Sequence, residues 1–144
     1  MTIRLCAALI GIGLLAGATA QAQDAQTASS LCQTVGGNGS LEAQLMFGRN
    51  IEGKGTVSDA QWSDFLGKEV TSRFPDGLSV FKASGQWRDT DTKQIVHEPS
   101  FIVMILAPNS PDTLTRLSEI RTAYKTRFHQ QSVGLTLSQT CVDF

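Results

Sequence analysis

The sequence predicts an α+β fold in which a four-stranded antiparallel sheet carries two helices on one face. Segments that alternate apolar with polar residues are typical of strands, and two longer segments repeat apolar residues with the helical period. Along the chain these segments follow one another as β-α-β-β-α-β, which is the ferredoxin-like plan. In this plan the first and last strands are antiparallel neighbours, and Cys32 and Cys141 fall at their adjoining ends.

The first strand and the first helix are predicted on either side of a loop. Residues 41–47 alternate with the strand period, and residues 48–57 form the glycine-containing loop. Ser58 and Gln61 have the spacing of a capping box, in which side chains and backbone N–H groups bond reciprocally at a helix start. Turn residues 75–77 end the helix. Its buried side is predicted to consist of Trp62, Phe65, Leu66, Val70 and Phe74.

The second and third strands are predicted to form a hairpin. They cover residues 78–87 and 95–107, and the polar residues 88–93 form the turn between them. Pro99 has no N–H group to donate within a sheet, so we expect a bulge or an unpaired edge at this point.

The second helix and the last strand complete the domain. Ser110 and Pro111 indicate the helix start, because serine caps the first turn and proline fits the first helical position. The last strand covers residues 132–142, where apolar and polar residues alternate again. The buried side of the helix is predicted to consist of Leu114, Leu117, Ile120, Tyr124 and Phe128.

The amino terminus resembles a secretory signal peptide. Arg4 precedes an apolar run of about 13 residues, shorter than the ~20 that a transmembrane helix needs, and small residues follow it. We therefore expect an exported protein, periplasmic or secreted, without a stable membrane anchor. The expected division is a signal peptide over residues 1–22 with cleavage after Ala20 or Ala22, a flexible N-terminal arm over residues 23–40, and one domain over residues 41–144.

Removal of the signal peptide leaves two of the three cysteines. Cys6 departs with it, and Cys32 and Cys141 enter an oxidising compartment, in which thiols form disulfides. We predict a Cys32–Cys141 disulfide. The alternatives are two free thiols or a metal site, and a metal site would need more ligands at short spacing.

Composition argues against several classes of function. The 144 residues carry 12 basic and 13 acidic side chains, with a net charge of −1 and no basic block, so we expect no nucleic-acid partner. The two histidines lack the neighbouring cysteines or carboxylates of a zinc site. Once the cysteines are paired, no thiol nucleophile remains. We expect neither a metal nor a cofactor.

Several short motifs distinguish the domain. They are Phe47-Gly48-Arg49, the helix start with Trp62 and Phe65, and residues 73–80, 85–88 and 98–100. These motifs resemble domain of unknown function 3574, a family of exported bacterial proteins. The resemblance covers roughly residues 41–144 and is most specific from Arg73 to Arg88. Phe101 stands where the family pattern has a lysine, so no role of that lysine carries over. The resemblance implies one exported domain and no particular activity.

One end of the predicted sheet collects candidate functional residues. The end of the first strand, the hairpin turn and the end of the second helix meet at this rim. Arginines beside an indole suit an anionic or aromatic ligand, with His97 or Glu98 as a general acid or base. The structural alternative is a charge-assisted Arg49–Glu98 pair beside a half-buried tryptophan. The rim residues are Arg49, Trp87, Arg88, His97, Glu98 and, from the helix end, His129.

Two further motifs resemble ligand-binding loops incompletely. Residues 48–56 contain the glycines and lysine of a phosphate-binding P-loop, but Gly55 replaces its Ser or Thr and the helix cap at Ser58 comes too late. Asp89 and Asp91 supply too few oxygen ligands for calcium. We interpret the first motif as a mobile loop and the second as a hairpin turn.

The third strand is apolar on both faces. A sheet with one solvated face normally alternates apolar and polar residues, so we expect a second copy, a ligand or the N-terminal arm to cover the other face. Met46 and Phe81 extend this patch, which favours a homodimer that packs sheet face against sheet face. Phe101, Val103 and Ile105 point to one face, and Ile102, Met104 and Leu106 point to the other.

These observations indicate an exported small α+β binding or accessory domain, and its ligand is unknown from the sequence. The alternative is a small cofactor-free enzyme, similar to oxygenases or isomerases on ferredoxin-like sheets, with a rim site of Arg49, Trp87, His97 and Glu98. That alternative rests on an analogy of fold.

Overall fold

A computed structural model describes residue 30, residues 32–51 and residues 55–144. The predicted signal peptide and residues 23–29 and 31 of the predicted arm lie outside the described residues. In chain order the elements are β1 (Asn38–Gly48), β2 (Asn50–Ile51), β3 (Gly55–Thr56), α1 (Asp59–Phe65), a π-helical segment (Leu66–Thr71), β4 (Ser79–Arg88), β5 (Ile95–Ala107), α2 (Pro111–Phe128) and β6 (Gly134–Val142).

Four strands form one antiparallel sheet in the order β4-β5-β1-β6. The predicted α+β class is therefore confirmed, and the order matches the ferredoxin-like plan. β1 begins at Asn38 rather than Leu41, so the last three residues assigned to the arm belong to the sheet. The predicted loop before α1 also contains the two-residue strands β2 and β3, which pair with each other.

Of the two outcomes expected at Pro99, a bulge or an unpaired edge, the structure has the second, on the side that faces β1. The register of β5 with β4 is unbroken, and Pro99 stands opposite Ser84. On the side of β1, the Pro99 carbonyl accepts a hydrogen bond from Arg49 N–H at 3.1 Å. Proline has no N–H to return, and the Arg49 carbonyl accepts instead from Val57 N–H at 2.8 Å. The missing donor therefore lets the chain leave the sheet at Arg49 and approach α1.

The first helix starts as predicted and then changes from an α-helix to a wider π-helix. Ser58 and Gln61 form the capping box, with side-chain to backbone bonds in both directions. Beyond Phe65 the chain continues as the π-helical segment. Phe65 and Val70, both fully buried, are five residues apart, a spacing that fits the wider π turn better than an α turn.

The second helix is rotated slightly from the predicted orientation. Leu117, Ile120, Tyr124 and Phe128 are buried, as predicted, but Leu114 is 45% exposed. Thr113 takes its place, and its hydroxyl donates to the Pro108 carbonyl at 2.7 Å. This bond satisfies the buried hydroxyl and fixes the first turn of α2.

Both helices pack against one face of the sheet, which we call the inner face. Phe47 of β1 contacts Trp62 and Phe65 of the first helix and Tyr124 of the second, with ring centroids 5.1, 5.9 and 4.8 Å away. Phe101 of β5 stacks on Trp62 at 4.4 Å. We call the opposite side of the sheet the outer face.

The predicted disulfide is confirmed. Cys32 and Cys141 are bonded, with Cα atoms 5.5 Å apart, and the bond closes a loop with a sequence separation of 109. Within the described ranges, no helix has the length and apolar character needed to cross a membrane.

Candidate functional site

The pleat of the sheet divides the four predicted rim residues that lie on its strands between two faces. Side chains alternate along a strand, and the ladders are unbroken in register. Phe101 points to the inner face, so His97 points there too, and Glu98 points to the outer face. Trp87, two residues from Gly85, shares the outer face with Glu98 because Gly85 stands opposite Glu98. Arg88 shares the inner face with His97.

The Arg49 side chain lies on the inner face and bonds residues at the start of α1. Its Nε donates to the Val57 carbonyl at 2.8 Å, and its Nη2 contacts Asp59 at 2.7 Å. The guanidinium lies 4.9 Å from the centroid of the Phe101 ring. Only 16% of the side chain is exposed. These contacts connect the end of the sheet to the start of the helix.

Glu98 does not pair with Arg49, because the two side chains point to opposite faces. Among the described residues, no ion pair joins them. The Glu98 Oε1 atom instead accepts from the backbone N–H of Asn50 at 2.7 Å. No donor in the described part of the chain bonds the second carboxylate oxygen. The carboxylate lies directly over Gly48, where an added Cβ would meet its oxygens at 2.6 and 2.7 Å.

Small residues surround Glu98 on the outer face. Gly85 stands opposite it on β4. The next row across the sheet consists of Ala83, Ser100 and Gly48. Trp87, at the hairpin end, is 45% exposed. The positions around Glu98 on the outer face therefore carry only small side chains, and the Trp87 indole is exposed at the hairpin end.

Tyr124 lies directly beneath this region, and the sequence did not identify it as a site residue. Its hydroxyl donates to the Gly48 carbonyl at 2.8 Å. Burial raises the pKa of the Tyr124 phenol well above its ordinary value, an effect that Arg49 opposes and Glu98 reinforces. The phenol is therefore a permanent donor at neutral pH. Its place in the apolar stripe of α2 concealed this polar role.

The remaining rim residues bond within turns or are exposed to solvent. Arg88 Nε donates to the Lys93 carbonyl at 3.1 Å, within the hairpin. His97 is exposed. His129 ends α2 in the left-handed conformation, with φ 54°, and its N–H donates to the Lys125 carbonyl. None of these contacts directs the side chains towards Glu98.

The two weaker motifs have local structural roles where they are described. Gly53 and Lys54, the central residues of the P-loop-like motif, lie outside the described residues. Asp89 Oδ1 accepts from the N–H groups of Asp91 and Thr92 and from the Thr92 hydroxyl. These bonds, chiefly those from Thr92, lower the pKa of Asp89. The carboxylate therefore organises the hairpin turn.

Three surface cavities lie away from the rim. The largest, about 520 Å³, is beside the disulfide and is lined by uncharged residues that include Asn38, Ser40 and Gln139. A second lies on the surface of α2, and a third lies between Arg73 and the start of α2. Trp87, His97 and Glu98 line none of the three.

Two solved structures have a similar fold. One is a phage SAM lyase in complex with S-methyl-5'-thioadenosine, with 17% sequence identity and a TM-score of 0.56; 72% of this chain and 88% of that chain are covered. The other is a phage SAM lyase in the apo state, with 19% identity and a TM-score of 0.54; 73% of this chain and 86% of that chain are covered. At these identities the likeness shows the fold alone.

No curated protein matches the sequence significantly. A family model does match, over residues 42–144, and its description is "Protein of unknown function (DUF3574)". This range contains the whole sheet except the first residues of β1, both helices and every predicted rim residue. The chain therefore belongs to the DUF3574 family of proteins of unknown function.

Proposed function

We propose that this protein is a binding domain and that it binds its partner through the outer face of the sheet. The observation that carries this proposal is the exposure of large apolar side chains on that face. Phe81, Trp87 and Met46 are 50%, 45% and 37% exposed. Sheets that face water usually place polar residues outward, so these residues favour a partner that covers them.

The charge distribution supports the same surface. The outward positions of the four strands include only two charged residues, Glu42 and Glu98, and no lysine or arginine. The whole chain has 12 basic and 13 acidic residues, so the charges concentrate elsewhere. Depletion of charged residues is typical of the centre of protein–protein interfaces.

We propose a second copy of the chain as the partner on this face. Phe81, Ile102 and Met46 form one row across β4, β5 and β1, and the Met46 side chain continues it over Gly134 of β6. Four strands spaced ~4.8 Å apart and about eight residues long present roughly 500 Å². Two such faces bury about 1,000 Å², the lower range of a specific interface.

Light scattering after size-exclusion chromatography tests the dimer. We expect the mature chain to be dimeric at tens of micromolar and the Phe81→Glu variant to be monomeric, because an unpaired charge would be buried. Ile95→Glu is the matched control, since Ile95 is also an exposed apolar strand residue but points to the inner side of the hairpin. A monomeric mature chain would contradict the dimer.

We also propose that the domain works after export. The Cys32–Cys141 disulfide supports this, because such bonds persist in oxidising compartments. Mass spectrometry of the protein expressed in a bacterial host with an export pathway should find an N-terminus at Gln21 or Gln23. An intact Met1 on the folded protein would argue against export.

The alternative, a cofactor-free enzyme at the rim, requires Arg49, Trp87, His97 and Glu98 around one substrate. The division of these residues between two faces makes this alternative weaker. The similar phage SAM lyase was solved with S-methyl-5'-thioadenosine, so this nucleoside is a suitable probe. A rise in Tm with the nucleoside that Glu98→Gln abolishes would favour a small-molecule site at the rim.

A further inference from the structure

We infer that the edge strand β4 is a docking site for an extended acidic segment of a partner protein, which adds to the sheet as a further strand. The proposed dimer uses the outer face, whereas this site is the edge of the sheet. It therefore goes beyond the proposed function.

Two hydrogen bonds show which backbone groups of β4 point away from β5. In an antiparallel ladder each residue bonds to the neighbouring strand on one side only. Asp89, directly after β4, donates its N–H to the Gln94 carbonyl at 2.9 Å, so the odd-numbered residues of β4 bond to β5. The bond from Arg49 N–H to the Pro99 carbonyl agrees, because it assigns the odd-numbered residues of β5 to β1. The even-numbered residues of β4 form the free edge, and all are exposed: Val80, Lys82, Ser84, Gln86 and Arg88.

No strand in the described part of the chain pairs with this edge, because β4 is last in the strand order. The described residues that border the gaps are Cys32, which is bonded to β6, and Ile51 and Gly55, which follow β1. β5 separates both places from the edge of β4. The ladder of β4 has no break in register and the strand has no proline, so a partner strand can pair along its length.

Apolar side chains on β4 flank the free edge. Phe81 and Trp87 point to the outer face, Val80 points to the inner face, and Val80 is 37% exposed. Opposite residues of two paired strands point to the same face and contact each other. A strand added at this edge would therefore cover Phe81 and Trp87 with its own outward side chains, which we expect to be apolar.

The charge of β4 selects the other side of the partner strand. The inward positions of β4 include Lys82 and Arg88 and no acidic residue. Among the described residues neither cation forms a salt bridge. A lysine on an edge strand discourages pairing with an uncharged strand, but it attracts a strand with a carboxylate opposite it. The β4 edge of a second copy would bring four like charges together, so the partner is an acidic segment of another protein.

A synthetic peptide tests the site. In acetyl-Glu-Val-Thr-Val-Thr-Val-Glu-Val-Thr-amide the two glutamates lie opposite Arg88 and Lys82 when the peptide pairs antiparallel with β4. Amide hydrogen exchange of the mature chain, followed by NMR, is the measurement. We expect the peptide to slow exchange at the even-numbered residues of β4, since the odd-numbered ones are already bonded. Exchange at the opposite edge of the sheet, in β6, should not change.

Charge reversal separates recognition from a structural effect. A peptide with lysine in place of both glutamates should bind at least about fivefold more weakly. Lys82→Glu should weaken binding of the glutamate peptide about five- to tenfold and strengthen binding of the lysine peptide. Lys125→Glu on α2 makes the same change in net charge away from β4 and should alter neither. A disturbed β4 strand would weaken both peptides.

The outcomes also separate the edge site from the proposed dimer. Lys82→Glu should remain dimeric, because Lys82 points to the inner face. A monomeric wild-type chain that binds the glutamate peptide would contradict only the dimer. Absent binding, equal binding of the two peptides, or slowed exchange in β6 instead of β4 would overturn the edge site.

Discussion

Gly48 is contacted from two sides at the end of β1. The Tyr124 hydroxyl donates to its carbonyl, and the Glu98 carboxylate lies over its Cα. Its neighbour Arg49 then leaves the sheet, because Pro99 offers no N–H to continue the ladder. Each of these residue types has a local physical reason. Gly48 allows the close approach of the Glu98 carboxylate, and Pro99 ends the ladder between β1 and β5. The buried Tyr124 phenol satisfies the Gly48 carbonyl.

Gly48→Ala should destabilise the protein by about 1 to 2 kcal/mol, because the new Cβ displaces Glu98 and breaks its bond to Asn50. Urea unfolding measures this change. Gly39→Ala in the same strand is the matched control, since a Cβ there meets nothing within 4 Å. An equal effect at both positions would mean that the contact with Glu98 is not the cause.

Tyr124→Phe should cost about 1 kcal/mol of stability, because the part-buried Gly48 carbonyl loses its donor. The raised pKa of Tyr124 gives a second readout. Because the pKa of Tyr124 is higher in the folded state than the unfolded value of 10.0, this group stabilises the folded state fully at pH values below 10.0. The stabilisation is lost as the pH rises from 10.0 through the pKa of the folded state.

The titration of Tyr124 is directly visible, because the sequence contains one tyrosine. Tyrosinate absorbance should appear near pH 10.0 in the unfolded protein and only at higher pH in the folded protein. A folded protein that titrates at the same pH as the unfolded one would refute the burial of this hydroxyl.

At the scale of elements, the first helix depends on its start. The capping box at Ser58 satisfies N–H groups that otherwise lack partners, and it places Trp62 against Phe47 and Phe101. The π-helical segment then brings Val70 into the core after Phe65. The helix start therefore positions most of the aromatic core.

Ser58→Ala should destabilise the protein by about 1 kcal/mol through loss of the cap. Thermal unfolding provides the measurement. Ser63→Ala, an exposed serine inside the same helix, should be neutral or slightly stabilising, because alanine has the higher helix propensity. The prediction fails if Ser58→Ala is as well tolerated as the control.

The elements were more predictable than the site. Alternation in β1 and the start signals at Ser58 and Ser110 each depend on nearby residues, and each predicted its element. The rim residues were also correctly assigned to one end of the sheet. The face to which each residue points depends on the strand register. A single bulge at Pro99 would have turned every residue before it in β5 to the opposite face. A glycine under a carboxylate is a tertiary contact, and the sequence carries no local signal for it.

At the scale of the whole molecule, the disulfide connects the segment before β1 to the end of β6. In the chain-entropy model, a loop of this length contributes about 4 to 5 kcal/mol, as an upper estimate. The β1–β6 ladder already holds the two segments together, so the bond should act mainly on the unfolded chain.

The Cys32→Ser/Cys141→Ser variant should therefore keep its circular dichroism spectrum but unfold at a lower urea concentration. Urea unfolding of the wild type with a reductant provides the comparison. An unchanged midpoint in both cases would show that the closed loop does not contribute to stability.

The position of β1 in the sheet also determines the order in which the protein can assemble. β1 is the first of the four strands to leave the ribosome, yet its partners β5 and β6 are both synthesised after α1 and β4. The β4–β5 hairpin is the local pairing, so we expect assembly to start there. Until β5 and β6 arrive, the apolar side of β1 is without its sheet partners, and pairings this distant slow folding. The chain is thus exposed to aggregation mainly early in its life.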